Sequence, residues 1–210
     1  LSGALVDTWF MMASPVPITL VVVGYLLFIT IGPKLMKNRE PFKMERLLMY
    51  YNVFQVMLIT VGGCSKWFNF KSVFRLLDLG WWYFFAKFTE LLDTVFFVLR
   101  KKNKQISFLH VYHHAIMALY SWSYLKFAAG GDGAILALLN SAVHVVMYTY
   151  YLLAGLGPRF HKYLWWKKYV TKMQLVSFQT ITFLQDALCY LWKTNIQNNL
   201  WSQIFFFIAI

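Results

Sequence analysis

Three of the chain's five histidines, His110, His113 and His114, fall within five residues of each other in FLHVYHH. Imidazole serves as nucleophile, general base or metal ligand near neutral pH. A lone histidine in an apolar segment usually has only a packing role, but three in little more than one helical turn form a cluster with chemical potential. Helical spacing puts His110 and His113 on one face, with His114 flanking it. A second group lies in KFTELLDT, where Lys87, Glu90 and Asp93 recur at i, i+3 and i+6 along one side of a helix. A third lies in NSAVHVVMYTYY, where Asn140, His144, Tyr148 and Tyr151 follow one another down a helix face. Tyr150 and Tyr151 also suit an interfacial aromatic belt. Thr171, Gln174 and Ser177 add a weaker polar stripe of the kind that hydrogen-bonds between helices.

These residues are embedded in a chain that is 60% hydrophobic, 20% aromatic and only 13% charged, a composition unlike that of soluble domains. Apolar runs at 16–32, 44–63, 80–99, 106–125, 133–153 and 167–190, with a seventh starting near Leu200, match the ~20 residues a membrane span requires. The expected fold is therefore all-α: a polytopic membrane protein of seven transmembrane helices. Residues 1–210 form one domain, without repeats or long linkers. The absence of an initial Met and the ending inside FFFIAI suggest trimmed termini.

A buried charge at the bilayer centre costs about 2.5–3.5 kcal/mol on insertion scales. Lys87, Glu90 and Asp93 must accordingly face partners or a wet cavity. One reading is a structural Lys87–Glu90 ion pair that holds a bundle together; the other is a site. Asn140 and His144 pose the same choice, since hydrocarbon would leave both unsatisfied.

The formal net charge of +12 raises nucleic acid as a partner, but the basic residues sit in short loops between apolar runs, which argues against it. One set of loops carries Lys34, Lys37, Arg39, Lys43 and Arg46, then Arg100, Lys101, Lys102 and Lys104, then Arg159, Lys162, Lys167 and Lys168. The alternate loops carry only Lys66, Lys71, Arg75, Lys126 and Lys193. This asymmetry makes the first set, and the C-terminus, cytosolic. Counted from the cytosolic span ends at 1.5 Å per residue, Asp93, His113, His144 and Gln174 share a level roughly 10–15 Å deep. RKKNK and WWKK sit above that level, placed to hold a phosphate-bearing head group while a reactive chain reaches the histidines.

Taken in order, Lys87, Glu90, Asp93 and Thr94, then His110, His113 and His114, then HVVMYTYY from His144 to Tyr151, then TKMQ from Thr171 to Gln174, resemble the very-long-chain fatty acid elongase family, the membrane 3-ketoacyl-CoA synthases. The resemblance covers nearly the whole chain. Ser177 departs from it, standing where the family usually has a second glutamine. The resemblance implies an acyltransferase of the endoplasmic reticulum membrane whose helices, as a bundle or barrel, enclose an acyl-chain cavity. It would condense a long-chain acyl-CoA with malonyl-CoA, giving 3-ketoacyl-CoA, carbon dioxide and CoA, with no cofactor and no metal. HVYHH, KFAAGG and YLWWKKY look like the subgroup acting on saturated and monounsaturated chains. Membrane lipid, a second copy of the chain, and the reductase and dehydratase of the elongation cycle are the partners this reading allows.

Within that reading His113 is the expected nucleophile, forming an acyl-imidazole, with His110, His114, Glu90 and Asp93 orienting it. His144 with Asn140 would stabilise the enolate left by decarboxylation. Lys87, Tyr148, Tyr151, Gln174, Arg100, Lys101, Lys102, Lys104, Lys167 and Lys168 are the expected substrate-binding residues. Cys64 and Cys189, near the opposite ends of their spans, are poor nucleophile candidates. The HxxHH pattern also occurs in di-iron desaturases and hydroxylases, which need more histidine ligands than this chain supplies. A seven-helix transporter or receptor is the remaining alternative, although paired broken helices are not evident.

Overall fold

The run VPITLVVVGYLLFITIGPKL has no charge before Lys34 and carries Pro17 in its first turn, where a missing N–H costs nothing. In the computed structural model it forms α1 (Val16–Leu35). The residues described are 6–60, 73–127, 133–157, 160, 162 and 164–177. The other long helices are α2 (Glu45–Ile59), α3 (Val73–Leu99), α4 (Phe108–Phe127) and α5 (Gly133–Gly155). Residues 167–177 are also helical and are called α6. All regular structure among the described residues is helical, in keeping with the expected class.

α3 begins seven residues before the run expected from Leu99 back to residue 80. Arg75 and Asp78 lower the hydropathy of its first turns without interrupting backbone hydrogen bonding, so the apolar run understates the helix. The rest of the sixth expected span and all of the seventh lie outside the described residues. Val16–Leu35 and Ala137–Gly155 are long and apolar enough to cross a membrane. Leu20, Leu27, Ile31 and Leu35 of α1 are exposed, a surface that lipid solvates better than water does.

α3 is the central element. It packs on α1 and α4, on α2 and α5, and on the short 3-10 turn Asn103–Gln105. α1 also packs on α4, and α2 on α5. Two apolar clusters reflect this division. Ile18, Val22, Leu77, Phe84, Leu91, Ala118, Trp122 and Leu125 fill one. Tyr51, Leu58, Ala86, Met147, Tyr148 and Val170 fill the other. Close approach is made possible by glycine: a Cβ on Gly32 would lie 2.8 Å from Val98 Cγ1, and one on Gly80 would lie 2.9 Å from Leu125 Cδ1.

The end of α3 shows how the basic loops are organised. Lys101 adopts a left-handed conformation at φ 56°. Its N–H bonds Val98 O at 3.0 Å and that of Lys102 bonds Phe97 O at 2.9 Å, the paired bonds of a Schellman stop. The chain then turns back through Asn103–Gln105 into α4, so α3 and α4 are antiparallel neighbours. Lys101 Nζ donates to Lys37 O at 3.2 Å and Phe42 N to Leu99 O at 3.1 Å. Two of the three basic loops thus meet at one end of the bundle, as the charge asymmetry requires.

Candidate active site

The histidine box owes its position to a helix start. Ser107 Oγ accepts from the His110 N–H at 3.2 Å, capping α4 so that the box occupies its first two turns. His110 and His114 stand with ring centroids 4.3 Å apart, and His113 and His114 with theirs 5.8 Å apart. His114 is the buried member, while His110 and His113 are half-buried. This corrects the expected pairing of His110 with His113 and His114 to the side. On an α-helix, residues four apart differ by about 40° and residues three apart by about 60°, so the i, i+4 pair shares the face more closely.

Opposite the box, α3 presents its charges. Lys87 Nζ donates to Glu90 Oε1 at 2.8 Å and Oε2 at 3.0 Å, and each residue is 2% exposed. The Nδ1 of His144 lies 3.0 Å from Glu90 Oε1. That is ion-pair distance, but the ring is not aligned for a hydrogen bond, and among the described residues this buried nitrogen has no other partner. The box meets α3 where His110 Nε2 stands against Thr94 Oγ1, one turn along from Glu90. The second and third motifs and the box therefore do converge.

Asp93 is placed elsewhere. Its carboxylate accepts the Tyr148 hydroxyl at 2.6 Å, on the flank of α3 facing α5. The polar stripe of α3 runs instead through half-buried Tyr83 and buried Lys87, Glu90 and Thr94, at i, i+4, i+7 and i+11, a better fit to 3.6 residues per turn than i, i+3, i+6. Tyr83 donates to Asn140 Oδ1 at 3.3 Å. Thr94 Oγ1 lies 2.9 Å from His110 Nε2 and 2.9 Å from the Tyr25 hydroxyl.

On α5, Asn140, His144 and Tyr148 are buried as expected, at 7%, 6% and 0% exposure. Tyr151 is not: it is 40% exposed, and since an 11-residue step turns it only about 20° from Asn140, the exposure goes with its place in the last turns of α5, close to Gly155. On α6, Gln174 Nε2 donates to Met147 Sδ at 2.9 Å, reaching α5. Thr171 is exposed and bonds Lys167 O of its own helix, so it does not join the stripe.

Sequence reasoning missed Tyr25, Tyr51, Gln55, Tyr83 and Thr89 as parts of this network. Gln55 Nε2 donates to the Tyr51 hydroxyl at 2.7 Å and Oε1 accepts from Thr89 at 3.3 Å. Tyr51 in turn donates to Thr89 O at 3.2 Å. Tyr51 and Gln55 are an i, i+4 pair in an apolar run, a signal of the kind used for Asn140 and His144. Tyr25 carried none, being one tyrosine among aliphatic residues.

Of the basic residues, Arg100 and Lys101 are half-buried, and Lys102, Lys104, Lys167 and Lys168 are exposed. Lys168 Nζ stands 5.1 Å from the Tyr169 ring centroid. His161, Cys64 and Cys189 lie outside the described residues. Among the described residues, no group of three or more His, Cys, Asp and Glu is arranged to hold a metal ion. A cavity of about 300 Å³ lined by Trp9, Phe10, Asp78 and Trp81 lies roughly two and a half turns along α3 from Glu90, away from the histidines.

The arrangement sets imidazoles from two helices around a buried carboxylate and ammonium. It offers a nucleophile, a proton acceptor and a fixed charge pair within one level of the bundle. Sequence relatives share the context. The rat very long chain fatty acid elongase 7 is 44% identical over 211 residues, covering 91% of this chain and 75% of its own length. The human very long chain fatty acid elongase 4 is 45% identical over 190 residues, 82% of this chain and 60% of its own. The mouse very long chain fatty acid elongase 5 is 38% identical over 206 residues, 90% of this chain and 68% of its own. The chain thus spans between about 60% and 75% of the length of these relatives. The GNS1/SUR4 (ELO) family pattern matches residues 10–210, which include every helix of the converging site, and the chain is a member of that family.

Proposed function

We propose that the chain is the condensing enzyme of fatty acid elongation, joining a long-chain acyl-CoA to malonyl-CoA in the endoplasmic reticulum membrane with its C-terminus cytosolic. The names of its relatives support chain elongation. The observation that carries the chemistry is the convergence of the histidine box and His144 on the α3 face that bears Glu90 and Thr94. A nucleophile must be reachable by substrate. Within the box His114 is buried, and half-buried His113 is the imidazole that we assign as nucleophile.

His113 attacks the thioester carbonyl, the carbon–sulfur bond breaks and CoA leaves as the thiol, giving an acyl-imidazole. Malonyl-CoA loses carbon dioxide, and its C2 attacks the acyl carbonyl. The His113 nitrogen leaves, taking up a proton that replaces the one lost with the CoA thiol, and 3-ketoacyl-CoA remains. His144, held beside Glu90, and Asn140 donate toward the enolate oxygen that decarboxylation creates. Lys87 holds Glu90 through both carboxylate oxygens within an apolar bundle. Arg100, Lys101, Lys102 and Lys104, with Lys167 and Lys168, receive the phosphates of CoA. An acyl-imidazole hydrolyses readily, so the apolar walls serve the reaction by excluding water.

The test is acyl-CoA alone added to purified protein. CoA release limited to the amount of enzyme is expected, with one acyl group added by intact mass and mapped to FLHVYHH. His113→Ala abolishes both signals, and Cys64→Ser with Cys189→Ser leaves them. CoA release only after malonyl-CoA is added would mean direct attack in a ternary complex and remove His113 as nucleophile.

A further inference from the structure

We infer that Tyr25 of α1 is a positioning residue for the histidine box, acting on His110 through Thr94. The inference rests on the proposed reading of the box as the reacting site. α1 otherwise meets α3 and α4 through apolar groups such as Ile18 and Val22. A phenylalanine would fill the place of Tyr25 in this seam at no desolvation cost. The hydroxyl must therefore be satisfied, and among the described residues Thr94 Oγ1 meets it at 2.9 Å, on a residue 0% exposed. Thr94 passes the contact on to His110 Nε2, also at 2.9 Å.

The direction of this chain follows from chemistry. A phenol is a stronger donor than an alkyl hydroxyl, so Tyr25 donates to Thr94 and Thr94 to His110. Nε2 of His110 is then the acceptor and Nδ1 carries the proton. This bond fixes both the tautomer and the ring plane of His110, whose centroid lies 4.3 Å from that of His114. Close approach of the two helices at Gly32 and Val98, two turns from Tyr25, brings the phenol within reach. α1, whose exposed side reads as a lipid anchor, thus also reaches into the site from behind.

The test uses the full-length protein with acyl-CoA and malonyl-CoA. Tyr25→Phe removes one hydroxyl and keeps the ring. It should lower kcat for malonyl-dependent elongation roughly fivefold, the effect of losing one hydrogen bond, with KM for both substrates and the thermal midpoint unchanged. Thr94→Val should lower kcat by at least as much, Thr94→Ser should restore it, and Tyr25→Phe combined with Thr94→Val should be no slower than Thr94→Val alone. Thr94→Val reads the same bond from α3 if the α1 variant fails to fold. Unchanged kcat in Tyr25→Phe, additive losses in the double variant, or a loss that tracks the folded fraction would each overturn the inference. Wild-type protein without malonyl-dependent product would instead reject the proposed reaction.

Discussion

Glu90 is the side chain whose loss should be felt most, since it is counter-charge to one buried cation and neighbour to a second group. At 2.8 Å, a Lys87–Glu90 pair in a medium of effective dielectric about 20 has a gross attraction of roughly 6 kcal/mol. Desolvation of both ions offsets much of this, yet removing one partner strands the other, at about 3–5 kcal/mol. Glu90→Gln keeps the shape and removes the charge, leaving the Lys87 ammonium at 2% exposure without a counter-ion. Lys87→Met is milder, because Glu90 retains His144 Nδ1 at 3.0 Å. The double variant Lys87→Met with Glu90→Gln leaves neither charge and should recover most of the stability lost in Glu90→Gln. Denaturant unfolding in detergent micelles, followed by tryptophan fluorescence, measures all three. Elongation assays on the same samples separate stability from chemistry, since the double variant should be folded and inactive. Destabilisation by the double variant equal to the sum of the singles would show that the two residues do not depend on each other, and would refute the argument.

Gly32→Ala places a methyl 2.8 Å from Val98 Cγ1 and should cost about 1–3 kcal/mol, whereas Gly24→Ala, with no atom within 4 Å, should be neutral or slightly stabilising; thermal midpoints of the two variants provide the comparison. His144→Ala should still load acyl groups, seen as CoA release, while forming no malonyl-dependent product; failure to load would reject the division of labour between His113 and His144. Lys167→Ala with Lys168→Ala should raise KM for acyl-CoA or malonyl-CoA several-fold at constant kcat, as loss of phosphate contacts requires. Unchanged KM for both would leave those lysines as topology signals alone.

The helical class, the approximate places of α1, α2, α4 and α5, and the residues worth attention are all legible in the run of residues. Charged and imidazole side chains inside apolar runs are costly, so Lys87, Glu90, His114 and His144 had to be buried against partners, and they are. The basic loops were equally legible, because charge asymmetry is a property of composition along the chain. Tertiary structure decided which of these groups meet. Spacing fixes the angle between two residues on one helix, but the rotation of that helix against its neighbours depends on packing at distant points such as Gly32 on Val98 and Gly80 on Leu125. That rotation directs Glu90 to His144, Asp93 to Tyr148, and Thr94 to both His110 and Tyr25. Tyr151 stays 40% exposed although it stands only about 20° around α5 from Asn140, since it lies three turns further along, near the helix end. Tyr25 shows the limit most clearly: one tyrosine among aliphatic residues has no periodicity to read, and only its contact across the seam of α1 and α3 connects it to the histidines.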